Sequence, residues 1–342
     1  MDNRGYVMGG MSFLLVLPAI ILCMVFIDLA IAGENSTVLH LESGTTLNLA
    51  KDVEANIPLV GREVIKDTAD GVAKTGEPLL DSRKTVRNKI QIKMDEISLS
   101  FYNNTGLNVE CNITSVDSAA DPFQVEVNSS ILVKKDSVTH QENISQNISI
   151  IEPQCPLKDP LPFIKCKNYG GVQINGSKIF YGSSLTQYLM ARGVENAMSY
   201  ENATTPLIIK KCPYDPYLWH GKDPGFIILK NCIENGYFHE SSDGSCFLCR
   251  LEGKGTCPHY GMETFISPGK ISDSTFNSGH NSTSNDTVLS GPCSSDHVIF
   301  NDTIWFGGTY SGREIVFYFD GLNYFKLFLD NGHRQKYGLP MF

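Results

Sequence analysis

Positive charge is scarce in this 342-residue chain and is nowhere concentrated. Lys and Arg number 28 against 37 Asp and Glu, for a net charge of −9, and basic residues go no further than doublets such as Lys134-Lys135 and Lys210-Lys211. Phosphate binding requires a concentrated basic surface, so nucleic acid is not an expected partner. Familiar catalytic signatures are missing too. There is no G-x-S-x-G elbow, no H-E-x-x-H helix and no phosphate loop, which removes the common hydrolase, zinc-protease and nucleotide-binding classes. His220, His239, His259, His280 and His297 are scattered among Gly and Ser, and each reads as a turn or surface residue.

An apolar stretch is present, from Met11 to Ala32, with only Ser12 interrupting its run from Met11 to Ile27. About 20 helical residues at 1.5 Å rise cover a hydrocarbon core of roughly 30 Å, so the expectation is a single-pass anchor in a lipid bilayer. Arg4 precedes the run, while Asp28 and Glu34 follow it. The positive-inside rule then places the N-terminus in the cytoplasm and the C-terminus outside. The alternative is a secreted protein: Ala30-Ile31-Ala32 before Gly33 fits a signal-peptidase site, with cleavage after Ala32.

Ten cysteines suit an oxidising exterior, nine of them beyond the apolar run. Glycosylation sequons begin at Asn35, Asn103, Asn112, Asn128, Asn143, Asn147, Asn175, Asn202, Asn281, Asn285 and Asn301. Composition alone would supply roughly three or four, so a surface glycoprotein is expected.

Two helical stripes follow the apolar run. Ala50, Val53, Ile57, Val60 and Val64 step by threes and fours with Pro58 inside the run, a predicted kink near Asn56. Val86, Ile90, Met94, Ile97 and Phe101 form the second, capped by Asp81 or Ser82 and stopped at Gly106. The period then changes to two at Leu107–Ile113 and Phe123–Val127, and continues through Ile131, Val133, Ile144, Ile148 and Ile150, as half-buried strands do. Glu152–Pro162 carries four prolines and marks a boundary. Beyond it, Ser184–Ala197 predicts a helix, and 206–210 and 225–229 predict short strands. Strands are also expected at 298–300, 303–306, 314–319 and 324–329, the last two joined by a hairpin at Asp320-Gly321, with 314–319 covered on both faces. Asn277–Ser295 reads as an exposed loop. The expected fold class is α+β: a cytoplasmic tip and anchor at 1–32, a helical stalk-like region at 33–105, a β-rich glycosylated region at 106–154, and a Cys-rich, disulfide-bonded β head at 155–342.

A short N-terminus with Arg4-Gly5 and Gly9-Gly10, an apolar helix directly after it and an amphipathic helical stretch beyond resemble the N-terminal organisation of archaeal type IV pilin-like proteins. The motifs KKCPYDPYLWHG at 210–221 and CFLCRLEGKGTCPHYGMETFI at 246–266 resemble uncharacterised surface proteins of methanogenic archaea. Neither resemblance supplies a function; anchor, stalk and sequon-bearing head together give the expected one, a structural, adhesive or pilin-like envelope component whose partners are the lipid bilayer and copies of itself or other envelope or pilus subunits.

The sharpest chemical constellation is Cys246-x2-Cys249-x7-Cys257-x-His259. Three sulfurs and an imidazole are the ligand set of a tetrahedral structural zinc, and a metal-binding module or enzyme centred on this cluster is the second functional reading. Disulfides compete for the same residues in an oxidising compartment. Cys155 with Cys166, and Cys212 with Cys232, are the nearest local pairings, leaving Cys111 as a candidate unpaired or intermolecular thiol. The turn-rich stretch around Trp219 and His220 either fills a small disulfide-bonded core or binds a ligand such as a sugar.

Overall fold

The computed structural model describes residues 4–135, 138–151, 153, 155–194, 197–214, 231–267, 294–301, 313–319 and 323–329. The chain is mixed helix and sheet, consistent with an α+β class. It divides into two compact units. One holds 1–56, 95–112 and 130–143, and the other holds 57–94, 113–129 and 144–342.

Helix α1 (Arg4–Thr75) is one continuous element. It passes through Pro58, the site of the expected kink, and through the polar 33–44 segment between the apolar run and the first stripe. A helix already formed on both sides of a polar segment propagates through it at lower cost than it would open two new ends, each with unsatisfied backbone groups. The single-pass anchor is corrected at the same place. Among the described residues, no helix is long and apolar enough to cross a membrane.

Gly76, in a left-handed conformation (φ 66°), follows α1, and α2 (Ser82–Thr105) returns. Asp81 is the N-cap: its Oδ1 accepts the Lys84 N–H at 2.9 Å. Gly106, at φ 71°, ends α2. The first stripe is buried from Ala50 to Val64 and the second from Val86 to Met94, with Val53, Ile57, Val86, Ile90 and Met94 fully inside. Lys93 pairs with Glu63 at 2.5 Å, and Lys89 donates to Thr68 Oγ1 at 3.1 Å, tying α2 to α1.

Strands β1 (Asn108–Ser118), β2 (Gln124–Lys135) and β3 (Val138–Ser149) form a sheet in that order. The expected alternation is there. Val125, Val127, Ile131 and Val133 of β2 are buried while their neighbours are partly open. Gln91 of α2 accepts the Ile113 N–H at 2.7 Å, which anchors the sheet to the helix.

The C-terminal part uses short elements: α3 (Leu161–Cys166), β4 (Gln173–Asn175), β5 (Lys178–Phe180), α4 (Ser184–Ala191), β6 (Thr204–Pro206), β7 (His239–Ser241), α5 (Phe247–Leu251), β8 (Gly261–Glu263), β9 (Phe265–Ile266), β10 (Ser294–Ser295) and α6 (Asp296–Ile299). β4-β5-β6, β7-β8 and β9-β10 pair antiparallel. Leu161, Tyr181, Leu185, Tyr188, Leu189 and Phe300 share one core. The expected strand at 298–300 is instead the end of α6 and its cap. The hairpin at the end of the sequence forms as read: β11 (Arg313–Phe319) pairs with β12 (Asn323–Leu329), Phe317 opposite Phe325. The expected strands at 225–229 and 303–306, the Trp219-His220 loop, most of the 277–295 loop, and Cys293, Asn281 and Asn285 lie outside the described residues, as does the side chain of Asn35.

Candidate metal centre

Two tight backbone crossings build the Cys246 cluster. At the first, Gly244 and Gly261 let the 244–246 segment pass against β8: a Cβ on Gly244 would sit 2.2 Å from the Met262 carbonyl oxygen, and one on Gly261 would sit 2.6 Å from the Ser245 carbonyl carbon. Only glycine permits that approach. Cys246 then caps α5 in an extended conformation and its carbonyl accepts the Arg250 N–H, so Cys246 and Cys249 stand one helical turn apart. At the second crossing Gly253 turns the chain at φ 74° and brings Cys257 back. The Cys246 N–H donates to Cys257 Sγ at 3.3 Å.

His259 completes the set. Its Nδ1 lies 3.8 Å from Cys246 Sγ and 3.6 Å from Cys249 Sγ, and all four ligand atoms lie within 4.8 Å of one another. Zn–S bonds of about 2.3 Å and Zn–N bonds of about 2.0 Å at tetrahedral angles require sulfur–sulfur separations of about 3.8 Å and sulfur–nitrogen separations of about 3.6 Å. The sulfur–imidazole distances match this pattern. Cys246 and Cys249 are buried, while Cys257 and His259 are half-buried.

The electrostatics fit a cation. Cys257 is held far below the ordinary thiol range because the Cys246 and Cys249 thiols donate to it, and Cys249 is pushed up by that sharing of protons and by burial. A divalent ion bound there would replace those shared protons. Three thiolates around Zn2+ would carry a net negative charge, and Arg83 of α2 stands beside the cluster, its Nη1 4.0 Å from Cys249 Sγ; its Nη2 lies 3.2 Å from His259 Nε2, a contact that a His259 ligating through Nδ1 and protonated at Nε2 would give up. Arg83 Nε donates to Asp117 of β1 at 2.8 Å. Although burial opposes it, this contact holds Asp117 below the usual carboxylate range. Nothing in the sequence near residue 250 marks Arg83 or Asp117, because only the tertiary fold brings α2 and β1 to this corner.

No disulfide joins any of the described cysteines. Cys212 and Cys232 do meet, with sulfurs 3.0 Å apart, as their proximity in sequence suggested. Cys155 instead points to the Arg62 carbonyl, and Cys166 is fully buried, its thiol pushed up to about 12 by desolvation. Cys111 is 4% exposed, which removes it from intermolecular pairing, and burial raises its thiol to about 11. Cys23 is exposed.

A buried polar cluster is the feature that sequence reading missed. Arg250, fully buried, donates to Asp159 at 2.9 and 2.5 Å and to Asp296 at 2.5 Å. His239 and His297, expected at the surface, are 1% and 3% exposed. Glu263 lies 3.0 Å from His297 Nδ1, and Ser295 Oγ lies 3.3 Å from that same nitrogen. In a nucleophilic triad the imidazole bridges, one nitrogen to the acid and the other to the hydroxyl. Here both partners share Nδ1, which is the geometry of a satisfied core histidine. No family model, curated protein or solved structure matches this chain.

Proposed function

We propose that this protein is a structural module braced by one tetrahedral Zn2+ at Cys246, Cys249, Cys257 and His259. The observation that carries the reading is the convergence of four N/S ligand atoms within 4.8 Å. Bound there, the ion acts as a cross-link, holding α5, the 253–259 turn and the Arg83 corner of α2 together. Four protein ligands fill a tetrahedral shell and leave no position for substrate, which favours a structural over a catalytic role. The test is metal content of protein purified without added zinc. Cys249→Ser and Cys257→Ser each lose one zinc equivalent relative to wild type, and the wild-type thiols resist alkylation until a chelator is added. A metal-free wild type with Cys246, Cys249 or Cys257 in disulfides would sink the reading.

A second, compatible reading is that the module is a glycan-bearing structural or adhesive component. It is favoured by the sequons: Asn103, Asn112, Asn143, Asn147, Asn175 and Asn202 are exposed, and Asn128 and Asn301 are half-open, so none of the sequon asparagines with a described side chain is buried. Deglycosylation of the native protein should lower its mass and convert these asparagines to aspartate; an unchanged mass counts against it.

A further inference from the structure

Cys212, Cys232 and His239 form a second cluster of soft ligands, separate from the Cys246 site. Their ligand atoms lie within 4.8 Å of one another, and all three residues are buried. Backbone bonds fix the arrangement from two sides. The Cys212 N–H donates to the Phe238 carbonyl at 2.8 Å and the Phe238 N–H to the Lys210 carbonyl at 2.7 Å, while the Tyr237 N–H donates to the Cys232 carbonyl at 2.9 Å. Residues 237–239 are therefore clamped between the two cysteines. On the far side, the His239 ring meets the edge of Phe265 at 5.8 Å.

The geometry points to a second metal site, in which Cys212, Cys232 and His239 bind a thiophilic divalent ion of the zinc class through two sulfurs and one imidazole nitrogen. Thiolate and imidazole together select this class over the hard cations. Charge supports it as well. Two thiolates and one divalent ion are neutral, which a site this buried requires. The Cys246 site, with three thiolates, is anionic and has Arg83 beside it. The sulfurs stand 3.0 Å apart, and an ion parts them by roughly 0.8 Å to reach the separation of about 3.8 Å set by its bond lengths. A disulfide would engage two of the three converging groups and leave the imidazole as a bystander. The described residues supply three ligands here against four at the other site, so one further ligand completes a tetrahedron.

The experiment measures zinc per chain in full-length wild type, Cys246→Ser/Cys249→Ser and Cys212→Ser/Cys232→Ser, all purified under reducing conditions without chelator, together with denatured, non-reduced intact mass of protein prepared without reductant. About two, one and one equivalents are expected if both sites fill. If Cys212→Ser/Cys232→Ser keeps all of the wild-type zinc, or if the non-reduced protein is about 2 Da lighter and the loss maps to a Cys212–Cys232 disulfide, the proposal is overturned. Failure of the Cys246 site reads differently, as a wild type with one equivalent that only the Cys212→Ser/Cys232→Ser variant loses. His239→Gln keeps both sulfurs and is the milder probe should the serine variants misfold. It should raise the dissociation constant of the second equivalent by about tenfold or more, at least what a lost outer-shell partner costs; an unchanged constant also overturns the proposal.

Discussion

Arg250 is the residue on which the buried electrostatics turn. Its guanidinium bridges two carboxylates in a fully buried setting, and it also lies over the Phe238 ring at 5.6 Å. Burial pushes Asp296 above the usual carboxylate range, and the Arg250 charge works against that push. Arg250→Met leaves Asp159 and Asp296 as uncompensated buried acids and should cost about 3–5 kcal/mol in urea unfolding. The triple variant that also carries Asp159→Asn and Asp296→Asn should recover part of the loss. Glu252 behaves in the opposite way. It accepts both the N–H and the Oγ–H of Ser82 and pairs with Lys254, contacts that outweigh desolvation and hold it below the usual carboxylate range. A depressed folded-state value means its contribution is complete above the unfolded value of about 4.3 and is lost as pH falls through the folded one. Glu252→Gln should therefore cost about 1 kcal/mol at pH 7, with the gap to wild type closing below about pH 4 in parallel urea titrations. The charge pattern could not single out these residues, because, Lys254 apart, their partners lie between 46 and 170 positions away in sequence.

At the scale of elements, local pattern and observed structure agree wherever short-range physics decides. The Asp81 cap, the Gly106 stop, the β1 to β3 alternation and the α4 helix all follow from propensity and period. They disagree where long-range terms enter. Val298 and Ile299, expected in a strand, lie instead in a helix whose first residue, Asp296, meets both the Thr264 N–H and Arg250. The 244–246 crossing over β8 is also a tertiary feature, visible in sequence only as glycines without an evident reason. Gly261→Ala places a methyl group against the Ser245 backbone, which cannot swing aside as a side-chain tip would. It should destabilise by about 1–3 kcal/mol and weaken metal binding at Cys246, read together from urea midpoints and zinc competition.

For the whole molecule, the proposed ions couple ligand binding to folding in the unit that contains residues 144–342. Chelation should lower its unfolding midpoint, and added zinc should raise stability by about 2.7 kcal/mol at a free concentration one hundred times the dissociation constant. Unfolding monitored across a series of buffered zinc concentrations checks this, and a midpoint independent of zinc argues against a metal-braced module. Composition and spacing alone determined the α+β class, the positions of the sequons and the spacing of Cys246, Cys249, Cys257 and His259, because residue type and short-range periodicity carry each of these. Tertiary structure decided the rest. It joined the apolar run into one long helix in place of a membrane-crossing one, set Arg83 over the thiolates, buried His239 and His297, and assembled Cys212, Cys232 and His239. Those outcomes depend on desolvation and on contacts between distant segments, which no local pattern in the chain records.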